Sequence, residues 1–113
     1  MRINKLNLKR VHDAGIPVAF GTDSGGTPLR VQGFAEHREL ELMVEAGLTP
    51  AQALEIATAR SAQLLGLTDR GNVRDGLRAD LVVLEADPVA NIRNTRRIAR
   101  VYQAGQEVAG AIT

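Results

Sequence analysis

The sequence predicts an α/β protein in which helices accompany one buried strand and a small sheet follows near the C-terminal end. Three observations predict this class. Apolar residues recur at helical spacing in much of the first half, the short apolar run IPVAF stands alone before a glycine-rich loop, and strand-like segments fill the last third. The 113 residues have the length of one ordinary domain.

Composition excludes several classes of protein. Fourteen basic and thirteen acidic residues give a net charge of +1, so the chain lacks the basic balance that marks nucleic-acid or membrane-surface binding. No apolar run approaches the roughly 18 residues of a membrane span, and the first ten residues have no signal-peptide core. Cysteine is absent, which removes disulfides and thiolate metal ligands. We expect a cytoplasmic protein that binds neither nucleic acid nor membrane.

The N-terminal third predicts a helix, a strand and a loop in that order. Apolar residues at roughly helical spacing indicate a helix over 2–14, and Gly15 provides a stop. The segment 16–23 begins with a short apolar run and ends in polar and glycine residues. This pattern predicts a buried strand that leads into a loop. Glycine and proline make regular structure unfavourable over 24–33.

Helices are predicted next. Residues 36–46 place apolar residues at i, i+3 and i+4, so one helical face is apolar while three acidic residues are expected to face solvent: Glu39, Glu41 and Glu45. Thr49 is a candidate N-cap, Pro50 suits the first helical position, and Gln52 completes a capping box. A second short helix is predicted over 59–65.

The last third predicts a small sheet. Glycines and aspartates flank the apolar run 81–84, and apolar and polar residues alternate near 101–103 before a turn at Ala104 and Gly105. About three strands are expected.

The stretch FGTDSGGTPL offers two candidate reactive residues, Ser24 and Asp23. Asp-Ser-Gly-Gly is similar to the nucleophile loop of trypsin-like serine proteases, but a serine nucleophile needs a histidine base oriented by a carboxylate. His12 lies only twelve positions before Ser24, and the region after residue 34 predicts helices instead of an all-β barrel. The serine interpretation is therefore disfavoured. From its position in the sequence alone, Asp23 either caps the turn after the strand or acts as a catalytic residue.

Five stretches of sequence, in order, carry a resemblance to a known family: GIPVAFGTDSG, HRELELMVEAGLTPAQALEIAT, LLGL, GNVRDGLRADLVVLEADP and VYQAGQEV. They resemble the C-terminal end of the amidohydrolase superfamily, in its imidazolonepropionase and metal-dependent dipeptidase-like branch. The resemblance implies that residues 1–67 form strand eight and the final helices of a distorted (β/α)₈ barrel, also called a TIM barrel. Residues 68–113 would then form the C-terminal strands of a small β-sandwich subdomain.

The resemblance also implies a reaction and a cofactor. Family members hydrolyse amide, cyclic amide or dipeptide bonds with one or two divalent metal ions, often zinc, so the implied partner is a small-molecule or dipeptide-like substrate. The aspartate that ends strand eight touches the metal and accepts a proton from its bound water; here that aspartate is Asp23. Its place fits, because active sites of such barrels lie at the C-terminal ends of the strands.

Other polar residues near Asp23 are weaker candidates. Ser24, Thr27 and Arg30 are expected to form hydrogen bonds within the loop, and Arg30 is the best candidate for substrate binding because a guanidinium can hold a carboxylate at two points. His37 follows the loop and has either a substrate-binding or a structural role. His12 precedes the predicted strand and is expected at the protein surface.

The chain lacks much of what the resemblance implies. A catalytic zinc site usually takes three protein ligands, and the family's His-x-His pair has no counterpart in this sequence. A complete barrel takes about 200 residues or more. We therefore expect a fragment or truncated reading frame that is inactive without an N-terminal barrel segment; a homo-oligomer is left open. The alternative is a non-catalytic remnant that acts only as a binding or assembly module.

Overall fold

The computed structural model describes residues 2–108, with helices in the first part and strands in the last. The first helix, α1, spans Arg2–Asp13, and the second, α2, spans Ala35–Glu45. The predictions of helices over 2–14 and 36–46 are confirmed. None of the helices in the described part of the chain has the length and apolar content that a membrane crossing requires.

A third helical stretch is continuous where two helices were predicted. It consists of α3 (Pro50–Glu55), a π-helical turn (Ile56–Arg60) and α4 (Ser61–Leu64). The Ser61 hydroxyl donates a hydrogen bond of 2.6 Å to the Ile56 carbonyl, five residues earlier, within the widened turn. The short helix predicted over 59–65 is present as the end of the π-helical turn and α4, but it continues from α3 without a break.

The predicted capping box is confirmed at the start of α3. Thr49 Oγ1 accepts the Gln52 backbone N–H at 3.1 Å, while Gln52 Oε1 accepts the Thr49 backbone N–H at 3.0 Å. Pro50 occupies the first helical turn, where its missing N–H costs nothing. The cap satisfies donors that the helix itself leaves without partners.

The core lies between α2, the third helical stretch and the C-terminal part of the chain. Its buried apolar side chains come from all three regions: Leu40, Met43, Leu48, Ala53, Ile56 and Ile92. Val18 and Phe20 are half-buried and pack against this cluster. The segment between α1 and α2 is therefore attached to the helices by its side chains.

Residues 16–23 do not form the predicted strand. The structure assigns them no regular secondary structure, although burial alternates: Val18, Phe20 and Thr22 are half-buried, whereas Ala19, Gly21 and Asp23 are exposed. A strand requires a neighbour to complete its hydrogen-bond ladder. Here the Phe20 N–H instead donates to Ser61 Oγ at 2.8 Å. The turns predicted over 24–33 are confirmed.

Three antiparallel strands form the predicted small sheet in the order β1 (Leu81–Leu84), β2 (Ile98–Gln103) and β3 (Gln106–Glu107). Ala104 and Gly105 join β2 to β3 with φ values of 50° and 79°. Positive φ at both central positions is the geometry that matches the twist of a two-residue hairpin. The predicted turn is confirmed.

A 3₁₀ helix, Ile92–Arg96, connects β1 to β2 and docks on α2. Glu41 is buried there and accepts hydrogen bonds from Arg96 Nε at 2.8 Å and Arg38 Nη1 at 3.2 Å. The Arg96 guanidinium also lies 4.6 Å from the centre of the Phe34 ring. The expectation that Glu41 faces solvent is therefore wrong, because two arginines compensate its burial.

Replacing Thr49 by alanine removes the Oγ1 acceptor of the cap, and we expect the free energy of unfolding to fall by about 0.5–2 kcal/mol. Urea denaturation followed by circular dichroism measures the change. Thr58→Ala is the matched control, because Thr58 Oγ1 donates to the Leu54 carbonyl within the same helical stretch and caps nothing. Equal destabilisation by the two variants would contradict the capping role.

The Glu41 network predicts a pH dependence of stability. The hydrogen bond from Arg96, followed by that from Arg38, holds the pKa of Glu41 below its ordinary value of 4.5. Because the folded pKa is lowered, this contribution to stability is complete above pH 4.5 and disappears as pH falls through the folded pKa.

Glu41→Gln should therefore destabilise the protein at pH 7 by about 1–3 kcal/mol, and the difference from the wild type should shrink below about pH 4.5. Denaturation at a series of pH values tests this. Glu85→Gln is the control, since Glu85 faces Arg97 at 3.7 Å with both side chains exposed and should change stability by about 0.5 kcal/mol or less. A pH-independent difference for Glu41→Gln would exclude the assigned ion pair as its cause.

Candidate active site

Asp23 stands where the extended segment turns into the loop. Its backbone has a φ of 56°, and its side chain is 83% exposed. Left-handed backbone is uncommon for residues other than glycine, although aspartate tolerates it better than most. The Asp23 carbonyl accepts the Gly26 N–H at 3.2 Å, which closes a tight turn. The turn leaves the Asp23 carboxylate accessible to solvent.

Two glycines let the loop approach Asp23 closely. Gly25 has a φ of 81°, and a Cβ atom there would lie 2.8 Å from Gln32 Nε2. A Cβ atom on Gly26 would lie 3.2 Å from the Asp23 carbonyl oxygen and 3.5 Å from Asp23 Oδ1. The left-handed backbone of the turn favours glycine at position 25, and a side chain at position 26 would crowd the Asp23 carbonyl.

Arg30 returns to Asp23 across the loop. Its Nη1 atom lies 3.4 Å from Asp23 Oδ2 and 3.3 Å from the Thr22 carbonyl oxygen. The Gly25 N–H also donates to the Arg30 carbonyl at 2.9 Å. The structure thus brings together two of the predicted site residues, Asp23 and Arg30. Their contact is long and exposed, so solvent screens it and it adds little stability.

An open groove of about 860 Å³ lies beside this pair, between α1 and α2. Its polar lining includes Asp23, Arg30 and Glu39; burial raises the pKa of Glu39, while the Arg30 charge opposes that rise. The apolar lining comes from both helices and the loop: Leu8, Leu29, Phe34, Leu42 and Met43. A few polar groups within an apolar cleft are typical of small-molecule sites.

His37 lies outside the lining of this groove. Its Nδ1 atom is 3.0 Å from Thr95 Oγ1, and Thr95 is buried in the 3₁₀ helix. Burial lowers the pKa of His37, and the nearby Arg96 charge lowers it further, so the neutral ring is favoured. The structure does not bring His37 together with Asp23 and Arg30. Its predicted substrate contact stays a prediction.

His12 differs from the expectation of a surface residue. Its side chain is 26% exposed, but its Nδ1 atom is buried and has no hydrogen-bond partner within residues 2–108. His12 lines a second groove together with residues 15–18 and the third helical stretch. The packing of α1 against neighbouring elements covers the ring, which spacing along the chain did not reveal.

The sequence interpretation missed Glu36 as a residue of this region. Its Oε1 atom accepts from Ser24 Oγ at 2.5 Å and from Thr22 Oγ1 at 3.5 Å, and its Oε2 atom accepts from the Gly33 N–H at 2.8 Å. Ser24 forms a hydrogen bond as expected, but the partner of its hydroxyl is Glu36 on α2 and not a group of the loop. The available signal was an acidic residue in the first turn of α2, directly after a loop rich in donors.

The described residues supply one suitable metal ligand at this place. Asp23 offers an exposed carboxylate, a donor that zinc and magnesium both accept. No group of three His, Asp or Glu side chains that could hold an ion occurs within residues 2–108. Asp23 thus fits the part of a single ligand in a larger set.

Comparison with known proteins identifies the class of protein as the amidohydrolases. The profile of the Amidohydrolase family matches residues 2–108, and the chain belongs to this family. The family resemblance carried by the motifs around Asp23 is confirmed.

Individual relatives support the same assignment. An imidazolonepropionase from Deinococcus radiodurans is 38% identical over 106 residues, covering 88% of this chain and 26% of the relative. A solved prolidase-like protein from Bifidobacterium longum has a TM-score of 0.83 at 40% identity, over 90% of this chain and 25% of that one. A solved Xaa-Pro dipeptidase with bound methionine has a TM-score of 0.80 at 29% identity, over 94% of this chain and 25% of that one. The chain spans about a quarter of the length of these relatives.

Proposed function

We propose that this chain contributes Asp23 to the active site of a metal-dependent hydrolase that cleaves C–N bonds in amides, cyclic amides or dipeptides. Family membership supports the class of reaction. The observation that carries the assignment of Asp23 is its accessible carboxylate, at the point where residues 16–22 give way to the loop. Active sites of (β/α)₈ barrels occupy this end of the strands.

Asp23 has two tasks in the proposed mechanism. Its carboxylate would be one of the ligands of a divalent ion, with zinc as the first choice, and would also accept a proton from the attacking water and pass it to the leaving nitrogen. When bound, such an ion lowers the pKa of water towards neutrality and polarises the scissile carbonyl. An accessible carboxylate near the attacking water is the group that general base catalysis needs.

Because a catalytic zinc usually takes three protein ligands, the remaining ligands are proposed to come from the part of the relatives that this chain does not span. The chain by itself is then inactive. An assay of the isolated chain with zinc tests this proposal directly, and amidase activity with stoichiometric zinc would contradict it.

Arg30 is proposed to recognise a carboxylate on the substrate. The Arg30 side chain is 53% exposed, and its contact with Asp23 is long, so its guanidinium has donors available at the groove. The names imidazolonepropionase and Xaa-Pro dipeptidase both indicate substrates that carry a carboxylate. Two-point binding by a guanidinium suits that group.

In the complete enzyme, Asp23→Asn should lower kcat by about two to four orders of magnitude, because the amide keeps the shape and loses the proton acceptor. Steady-state kinetics and a melting curve measure activity and folding separately. Asp75→Asn is the control, since Asp75 is an exposed aspartate outside the groove lining. Near-normal turnover of Asp23→Asn would remove Asp23 from the mechanism.

Arg30→Ala should raise KM for a carboxylate-bearing substrate by about 10- to 100-fold, the scale of losing a hydrogen bond between charged groups. A substrate analogue with that carboxylate amidated should be nearly unaffected, because it offers Arg30 no anion. Arg74→Ala, another exposed arginine, should change neither value. An equal loss with both substrates would show that Arg30 acts on the loop instead of on the substrate carboxylate.

A further inference from the structure

The Glu36 carboxylate connects three points of the loop that carries Asp23. Thr22 and Ser24, the two neighbours of Asp23, both direct their hydroxyls at Oε1, while Oε2 holds the backbone N–H of Gly33 at the other end of the loop. The Ser24 N–H also donates to Thr22 Oγ1 at 3.0 Å. One side chain on α2 therefore ties both ends of the loop to a helix.

Asp23 needs such support because its backbone is left-handed. A φ of 56° is less favourable for aspartate than for glycine, so the surrounding contacts must maintain it. Asp23 itself is held by the Gly26 N–H on its carbonyl and by a long contact to Arg30. The shortest side-chain contact beside Asp23 is that of the Ser24 hydroxyl with Glu36, at 2.5 Å; the Thr22 hydroxyl lies farther from the same oxygen, at 3.5 Å.

Three hydrogen bonds favour an ionised Glu36. The bond from Ser24 has the largest effect in holding the pKa of Glu36 below its ordinary value, and the Gly33 and Thr22 bonds act in the same direction. A carboxylate with donors on both oxygens has a defined orientation. Glu36 lies in the first turn of α2 and accepts the Gly33 N–H just before the helix begins.

We propose that Glu36 is a positioning residue, which fixes the place and direction of the Asp23 carboxylate through the hydroxyls of Thr22 and Ser24. The inference rests on the proposed role of Asp23. Glu36 is not among the residues that line the groove, so its proposed effect acts through Asp23. Its effect on turnover arises because a displacement of about 1 Å in a reacting group can cost about 100-fold in rate.

The test uses the complete enzyme with Glu36→Ala and Glu36→Gln. Glu36→Ala removes all three acceptor contacts, and we expect kcat to fall about 10- to 100-fold while KM stays within about threefold. Glutamine keeps one side-chain oxygen that can accept the two hydroxyls, but its NH₂ group cannot accept the Gly33 N–H. The decrease in kcat for Glu36→Gln should therefore be intermediate. Glu55→Ala, an exposed glutamate of α3, is the control.

Two further measurements separate positioning from a general loss of folding. Zinc release to a chelator should be about tenfold faster in Glu36→Ala, because Asp23 is the ligand displaced, and hydrogen exchange should increase over residues 22–33 only. Ser24→Ala should lower kcat less than Glu36→Ala. The double variant should lose less than the product of the two single losses, since both changes break one contact.

Unchanged kcat and zinc release in Glu36→Ala, together with an inactive Asp23→Asn, would overturn the positioning role and leave the assignment of Asp23 intact. Normal activity of Asp23→Asn would overturn that assignment itself. If Glu36→Ala does not fold, Glu36→Gln and Ser24→Ala still test the positioning role. Wild-type kcat and wild-type zinc release in both variants would contradict the proposal.

Discussion

The side chains of residues 18–24 alternate between half-buried and exposed, and this alternation determines where the chemical groups of the chain lie. Val18 and Phe20 pack on the core, and Thr22 and Ser24 turn their hydroxyls towards α2. Asp23 belongs to the opposite side and is exposed. A shift of one residue in this segment would bury the Asp23 carboxylate against apolar side chains and expose Phe20. Both changes would destabilise the folded state. The packing of apolar residues thus fixes the position of the reactive one.

The helix α2 connects this segment to the C-terminal sheet. Near its start Glu36 binds the loop, and about one and a half turns later Glu41 binds Arg96 of the 3₁₀ helix. Between them, His37 contacts Thr95, which reinforces the same junction. Ile92 enters the core beside these polar contacts. A single helix therefore braces the candidate site on one side and the small sheet on the other.

The acidic residues of this region divide by their surroundings. Glu36 and Glu41 have hydrogen-bond donors on both oxygens, and those donors lower their pKa values. Carboxylates that are fully bonded in this way hold structure together. Asp23 instead has an exposed carboxylate and one distant guanidinium partner. The group assigned to chemistry is the one that the fold leaves available to a ligand.

Local features of the sequence determined much of this protein. The helical spacing of apolar residues, the Thr49 capping box and the Ala104-Gly105 turn each depend on neighbours within a few positions, and the structure contains all three. The motif around Asp23 likewise identified the family. Tertiary structure decided the rest. The burial of Glu41 depends on Arg96, 55 positions away, and the Phe20 N–H finds Ser61 at a separation of 41. Such partners meet only after the helices pack. Hydrogen bonding and burial depend on which residues are close in space, and residues far apart in the chain show no periodic pattern that would predict their contact.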